Sequence, residues 1–195
     1  MSMAEKRHYM ACLDLDGRSC LVVGGGPVAL EKASSLAECG ARVTVVAPDV
    51  DSGFGNLPVE LVRRPYETAD LEGRFLVVAA TSDTEVNRRV FADAESRTLL
   101  CNVADVPELC SFILPAVHRE GPIAIAVSTG GASPALAQRI RDETADRYGT
   151  DYAELARRLE ALRPWAKENL PTYEARRDFF RELVDTELGV AEVRA

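Results

Sequence analysis

The sequence predicts an α/β fold in which a parallel-sheet domain is followed by a small segment and a helical C-terminal region. Three observations point there. Over residues 19–104 apolar runs alternate with amphipathic stretches, as expected when the strands of a parallel sheet are joined by crossover helices. A glycine-rich turn at residues 24–26 stands between the first apolar run and the first amphipathic one. After Thr150 no strand pattern remains, and apolar residues recur at three-and-four spacing between Arg and Glu.

The elements follow in order. SCLVVG reads as the first strand, and residues 28–39 as a helix with Pro27 at its opening turn and Gly40 just past its end. ARVTVVAP is the second strand, residues 53–56 a loop, VELVRR a short third strand and FLVVAAT a fourth, apolar enough for burial on both faces. Thr81, Ser82 and Asp83 can cap a helix over residues 85–96, and LLCNVA is the fifth strand. FILPAVHREGPIAIAVST holds two further strands, readable as antiparallel, with residues 118–122 as their turn. Ser133 caps the next helix and Pro134 opens it; amphipathic helices follow over residues 152–162 and 173–188, divided by Pro164 and Pro171. Their apolar stripe, including Leu155, Leu159, Leu162, Phe179, Phe180 and Leu183, is expected against a second subunit.

Composition narrows the function. The 195 residues fit one domain with an appendage or two small domains, and 47% hydrophobic with 28% charged residues is ordinary globular usage. A net charge of −8 without a basic block removes the driving force for phosphate-backbone binding, so no nucleic acid partner is expected. No apolar run approaches the ~18 residues of a membrane span, and the opening residues lack a signal-type apolar core, so no membrane partner and a cytoplasmic location are expected. Five cysteines without a C-x-x-C pair and only two histidines, His8 and His118, indicate neither a disulfide framework nor a metal site.

The first chemical signal is Gly24-Gly25-Gly26-Pro27-Val28-Ala29, which satisfies G-x-G-x-x-G/A directly after a strand and at a helix start. Gly24 allows the tight turn, Gly26 lets backbone approach a pyrophosphate, and Ala29 keeps the helix near the sheet. This is a Rossmann-type dinucleotide site with NAD as the expected cofactor. Asp49 follows Pro48 shortly after the second strand, about 20 residues past the glycines and one residue beyond where the ribose-binding carboxylate usually sits, and it favours NAD over NADP. The plainer role for Asp49 is a solvated turn carboxylate. Arg63 and Arg64 are the counter-signal, since a third strand beside the second would bring one of them toward a 2′-phosphate.

The runs VVGGGPVALEKA, VTVVAP, VVAATSDTEVNRRV, CNVADVPELCSFILPA and IAIAVSTGGASPALAQRIR together resemble the precorrin-2 dehydrogenase family, the short siroheme-synthase module whose members in some cases also insert iron as sirohydrochlorin ferrochelatases. The resemblance spans nearly the whole chain. It implies NAD-dependent oxidation of precorrin-2 to sirohydrochlorin, a homodimer, a tetrapyrrole substrate and, for iron-inserting members, ferrous iron as a further substrate. It also implies a Rossmann domain over residues 1–112, a dimerisation and substrate-binding segment over 113–149 and a helical domain over 150–195. The family's NAD contacts fall on Pro27, Val28, Pro48 and Asp49, and its general base on Asp105.

The residues support these assignments independently. Asp105 follows the fifth strand, and ligands of open parallel sheets bind outside the carboxyl ends of the strands. Dehydrogenation releases a hydride and a proton, so a base must stand beside the cofactor. Asn102, polar among apolar neighbours, is a candidate hydrogen-bond donor to nicotinamide or substrate, or else satisfies backbone at the strand end. Ser128, Thr129, Gly130, Gly131 and Ser133 offer hydroxyls, N–H groups and a helix N-terminus to substrate carboxylates, or else form a capped turn. His118 in a turn is expected to be solvated. The alternative function is a non-enzymatic NAD-sensing regulatory module, which needs neither Asp105 nor the second glycine turn. Short-chain dehydrogenase chemistry is not expected, because no tyrosine has a lysine four residues on.

Overall fold

The computed structural model describes residues 8–194, which fall into two compact units divided between Leu114 and Pro115. In the first unit, strands β1 (Ser19–Val23), β2 (Arg42–Val46), β3 (Glu60–Val62), β4 (Leu76–Ala79) and β5 (Leu100–Val103) form one parallel sheet in the order β3-β2-β1-β4-β5. The chain moves outward from β1 through β2 to β3, then crosses back to lay β4 on the other side of β1. The strand order therefore reverses beside β1, and its carboxyl end is the crevice where such sheets bind ligands.

Two α-helices cover opposite faces. Helix α1 (Pro27–Glu38) sets Ala29 and Ala33 onto Cys20, Val22, Val43, Val45 and Val78, and α2 (Thr84–Glu95) sets Val90 and Ala94 onto Leu21, Val23, Val77, Cys101 and Val103. Alternate residues of each strand thus enter alternate cores, as the period of two requires. Full burial of each Val or Leu contributes about 1.5–3 kcal/mol, and alanines on the helices let them approach the sheet closely. The remaining crossovers are short: the expected loop at residues 53–56 is a 3₁₀ turn, Ser52–Asn56, whose N–H at Gly53 donates to the Asp51 side chain at 2.8 Å.

The second unit opens with an antiparallel hairpin, β6 (Ala116–Glu120) and β7 (Ile123–Val127), followed by α3 (Pro134–Arg147), α4 (Thr150–Asn169) and α5 (Tyr173–Arg194). The turn is tighter than its sequence suggests. Only Gly121, with φ +56, and Pro122 connect the strands, so His118 belongs to β6, where its Nε2–H donates to the Tyr148 carbonyl at 2.9 Å. Pro164 does not divide a helix but lies inside α4. An internal proline forfeits one backbone bond and costs about 3 kcal/mol. Packing carries the helix past it: Ala166 is fully buried and the Trp165 and Phe179 rings meet at 5.5 Å. The apolar stripe expected against a partner is half-buried within the chain, because α4 and α5 pack on one another. Among the described residues, no helix is long and apolar enough to cross a membrane.

Candidate functional site at the carboxyl edge of the sheet

Gly24 ends β1 with φ +129, and its N–H donates to the Val46 carbonyl at 3.0 Å. A Cβ at residue 24 would strike the carbonyl of Ala80, just after β4. Gly25 faces the other neighbour: a Cβ there would overlap the Asp49 carbonyl, and the Gly25 carbonyl accepts from the Asp51 N–H at 2.7 Å. The loop is thus wedged between the segments that follow β4 and β2. Ala80 is held in turn by its neighbours, since the buried Asn87 of α2 exchanges hydrogen bonds with Thr81 through both halves of its amide.

Gly26 differs from both. It is exposed, and nothing lies within 4 Å of the position a Cβ would take. It is the N-cap of α1 and supplies no side chain; Pro27 follows, with no acidic residue in the first turn. By contrast Asp83 caps α2 by accepting from the N–H groups of Glu85 and Val86, and Ser133 caps α3. An open helix N-terminus with exposed Gly26, Pro27 and Val28 presents N–H groups and the positive end of the helix dipole to solvent. These residues fit a dinucleotide pyrophosphate, which would occupy the space a side chain at Gly26 would fill.

Pro48 and Asp49 are exposed beyond the end of β2. Because β3 runs parallel beside β2, with Val62 opposite Val46, Arg63 and Arg64 follow it at the same carboxyl edge of the sheet. Arg64 is committed: its guanidinium donates to both Asp70 oxygens, at 2.9 and 2.6 Å, and to the Pro65 carbonyl. Partial burial raises the Asp70 carboxyl, but the Arg64 hydrogen bonds and the Glu67 N–H outweigh it and hold the group below its ordinary value. Arg63 is exposed and makes no ion pair among the described residues.

At the end of β5, Asn102 is 7% exposed, and its amide nitrogen donates to the Phe112 carbonyl at 3.0 Å. That side of the amide serves the chain itself. Asp105 is exposed, the third residue of a turn that the Val106 N–H closes on the Val103 carbonyl at 3.3 Å. Its φ of +60 is left-handed, a conformation Asp tolerates better than most side chains. Cys101 of β5 is a core thiol, pushed up to about 12 by burial first and by Cys110 and Glu95 next, so it carries no thiolate.

In the second unit the turn after β7 is internally bonded. Thr129 Oγ1 accepts from the Ser133 N–H at 3.0 Å and donates to the Ser133 carbonyl at 3.1 Å; the Gly130 N–H donates to Ser128 Oγ, and Ser133 Oγ accepts from the Leu136 N–H. The hydroxyls shape the turn first. Gly130 and Gly131, at φ +63 and +91, have open space at their Cα atoms, so what the turn presents outward is glycine backbone. Among the described residues, no group of three or more His, Cys, Asp or Glu is placed to hold a metal ion.

Sequence reading overlooked Cys110 and Ser111, whose side chains bond the outer edge of β5. The sequence carries no signal of that role, because which side of β5 lacks a strand depends on the order of the strands in the sheet.

A family profile described as putative NAD(P)-binding matches residues 11–116. The sirohaem biosynthesis protein central region matches residues 120–146, and the sirohaem synthase dimerisation region residues 151–192. The siroheme synthase of Thioalkalivibrio sulfidiphilus is 43% identical over 88% of this chain and 36% of its own length. That of Pseudomonas paraeruginosa is 41% identical over 90% of the chain and 38% of its own. The chain therefore spans a little over a third of these relatives. The solved structure of SirC, precorrin-2 dehydrogenase, aligns with a TM-score of 0.79 and 29% identity, covering 96% of both chains. With more than half its length in the first profile and the other two following in order, the chain belongs to the NAD(P)-binding family that accompanies the sirohaem biosynthesis and sirohaem synthase dimerisation regions.

Proposed function

We propose that this protein oxidises precorrin-2 to sirohydrochlorin with NAD and acts as a homodimer. The likeness to the precorrin-2 dehydrogenase structure over 96% of both chains carries the reading, and the open N-terminus of α1 on the same sheet edge as Asp105 supports it. Gly24, Gly25, Gly26, Pro27 and Val28 would hold the pyrophosphate, with Pro48, Asp49 and Asn102 contributing to the rest of the dinucleotide. Bound NAD supplies the hydride acceptor. Asp105 accepts the proton that leaves with the hydride, so two hydrogens depart the substrate as one hydride and one proton. A positioned base of this kind contributes roughly 10² to 10⁴ in rate.

Ser128, Thr129, Gly130, Gly131 and Ser133 would receive substrate carboxylates, chiefly through the outward glycine backbone. In this reading residues 1–112 form the nucleotide domain, 113–149 the dimerisation and substrate segment, and 150–195 the helical domain. The test is an anaerobic incubation with precorrin-2 and NAD, reading sirohydrochlorin and NADH together. Equal amounts of both products are expected. Tight NAD binding without turnover would instead support the non-enzymatic sensing module.

A further inference from the structure

β5 is an edge strand, and its outer side has no strand partner among the described residues. The Ala104 N–H donates to Ala79 on β4, so by the alternation of a parallel ladder the backbone groups of Cys101 and Val103 point the other way. All four are nevertheless satisfied, by two consecutive residues that return along the edge. Ser111 accepts the Cys101 N–H on its Oγ at 2.8 Å and donates to the Cys101 carbonyl from its own N–H at 2.8 Å and from Oγ at 3.1 Å. Cys110 Sγ accepts the Val103 N–H at 3.3 Å and lies 3.3 Å from both the Val103 and Val106 carbonyls. A thiol has one proton, so it serves those two carbonyls in alternation.

Val103 and Val106 are the two ends of the turn that carries Asp105. One sulfur therefore grips both ends of a turn whose third residue sits at φ +60. A left-handed Asp persists only where its surroundings hold it. We propose that Cys110 is a positioning residue for this site: its thiol, with Ser111 as a second clamp, fixes the direction in which Asp105 presents its carboxylate. This rests on the assignment of Asp105 as the base. Cys110 needs no contact with substrate, because its thiol bonds the backbone on either side of Asp105; the sulfur also accepts from the Asn102 amide nitrogen at 3.5 Å, but the Phe112 carbonyl holds that amide at 3.0 Å without it.

The experiment is a double-variant cycle of Cys110→Ala and Asp105→Asn on the full chain, with precorrin-2 oxidation and NAD binding measured on each protein. Cys110→Ala should lower kcat roughly tenfold or more with NAD affinity unchanged, while Cys110→Ser, which keeps a donor and acceptor, should stay within about threefold of the parent. In the Asp105→Asn background Cys110→Ala should cause no further loss. Parental kcat in Cys110→Ala, or an undiminished further loss in that background, would overturn the positioning role. Asp105→Asn at the parental rate would overturn the base assignment instead. Hydrogen exchange on the unaltered protein reads the clamp even where the alanine variant does not fold. The Val103 N–H should exchange at least about tenfold more slowly than that of Asp105, and equal rates would refute the clamp.

Discussion

Gly25 lies directly against Asp49: the Asp49 carbonyl occupies the place where a side chain at residue 25 would have to go, and the Asp51 N–H closes the contact on the Gly25 carbonyl at 2.7 Å. The middle glycine of the loop is thus a packing residue, whereas beside it the position of a side chain on Gly26 is open among the described residues. Gly25→Ala is expected to lower stability by at least about 1–3 kcal/mol, the usual cost of forced overpacking, and to lower NAD affinity as a by-product. Gly26→Val should unfold at the parental temperature and yet bind no NAD. Calorimetric titration beside a melting curve separates the two, and undiminished NAD affinity in folded Gly26→Val would remove the loop from the cofactor site.

These two glycines also show how far the sequence could be read. G-x-G-x-x-G/A after an apolar run revealed the nucleotide loop, because its meaning depends only on local order along the chain. Gly25 was opaque because its contact lies more than twenty positions away, across β2. The succession of strands, the two helices between them and the Ser133 cap were legible from periodicity and capping chemistry, whereas the order of the strands in the sheet was not. The clamp of Cys110 on β5 was not, since nothing in a one-dimensional pattern marks the unpaired edge of a sheet. His118 and Pro164 misled for a related reason: local turn and breaker propensities were overruled by the β6–β7 register and by packing of α5 on α4.

Cofactor preference should rest on Asp49. Arg64 is bound to Asp70, which leaves exposed Arg63 as the nearby cation, and a 2′-phosphate would meet the Asp49 carboxylate first. The wild-type protein should favour NAD, and Asp49→Asn should move the ratio of kcat/KM toward NADP by about tenfold, equivalent to about 1.4 kcal/mol. Steady-state kinetics in which wild type already prefers NADP would overturn the assignment.

The Arg64–Asp70 pair makes a prediction about acid. Asp70 has a folded value below its ordinary 3.8, so it stabilises the fold at pH above that value, and the contribution is lost as pH falls through the lower folded value. Asp70→Asn should therefore melt below wild type at neutral pH, with the gap closing under acid conditions below about pH 4. A gap that stays constant down to pH 2 would mean that the carboxylate charge adds nothing.

The helical region offers exposed rings, Trp165 at 47% and Tyr173 at 68%, beside a stripe of half-buried apolar side chains. If residues 151–192 join two copies, the chain should sediment at twice 21.2 kDa. Trp165→Glu should then raise the dimer dissociation constant roughly thirtyfold, since a central aromatic in an interface is worth about 2 kcal/mol or more. Wild-type protein that sediments as a monomer at micromolar concentration would exclude the arrangement.

The most informative substitutions are at Asp105, because its backbone separates conformation from chemistry. At φ +60 glycine is unstrained, asparagine tolerates the angle about as well as aspartate, and a β-branched residue does not. Asp105→Asn should keep both the melting temperature and NAD affinity while lowering precorrin-2 oxidation by about 10² or more. Asp105→Gly should be equally inactive, and at least as stable where relief of left-handed strain outweighs the added freedom of its unfolded chain. Asp105→Val should lose stability as well as activity. Melting curves and single-turnover rates on the three variants distinguish a base from a turn former: a turn former predicts that activity follows stability, so that Asn and Gly remain active and Val alone fails. Loss of oxidation in all three, with stability falling only in Val, assigns the function of this position to its carboxylate.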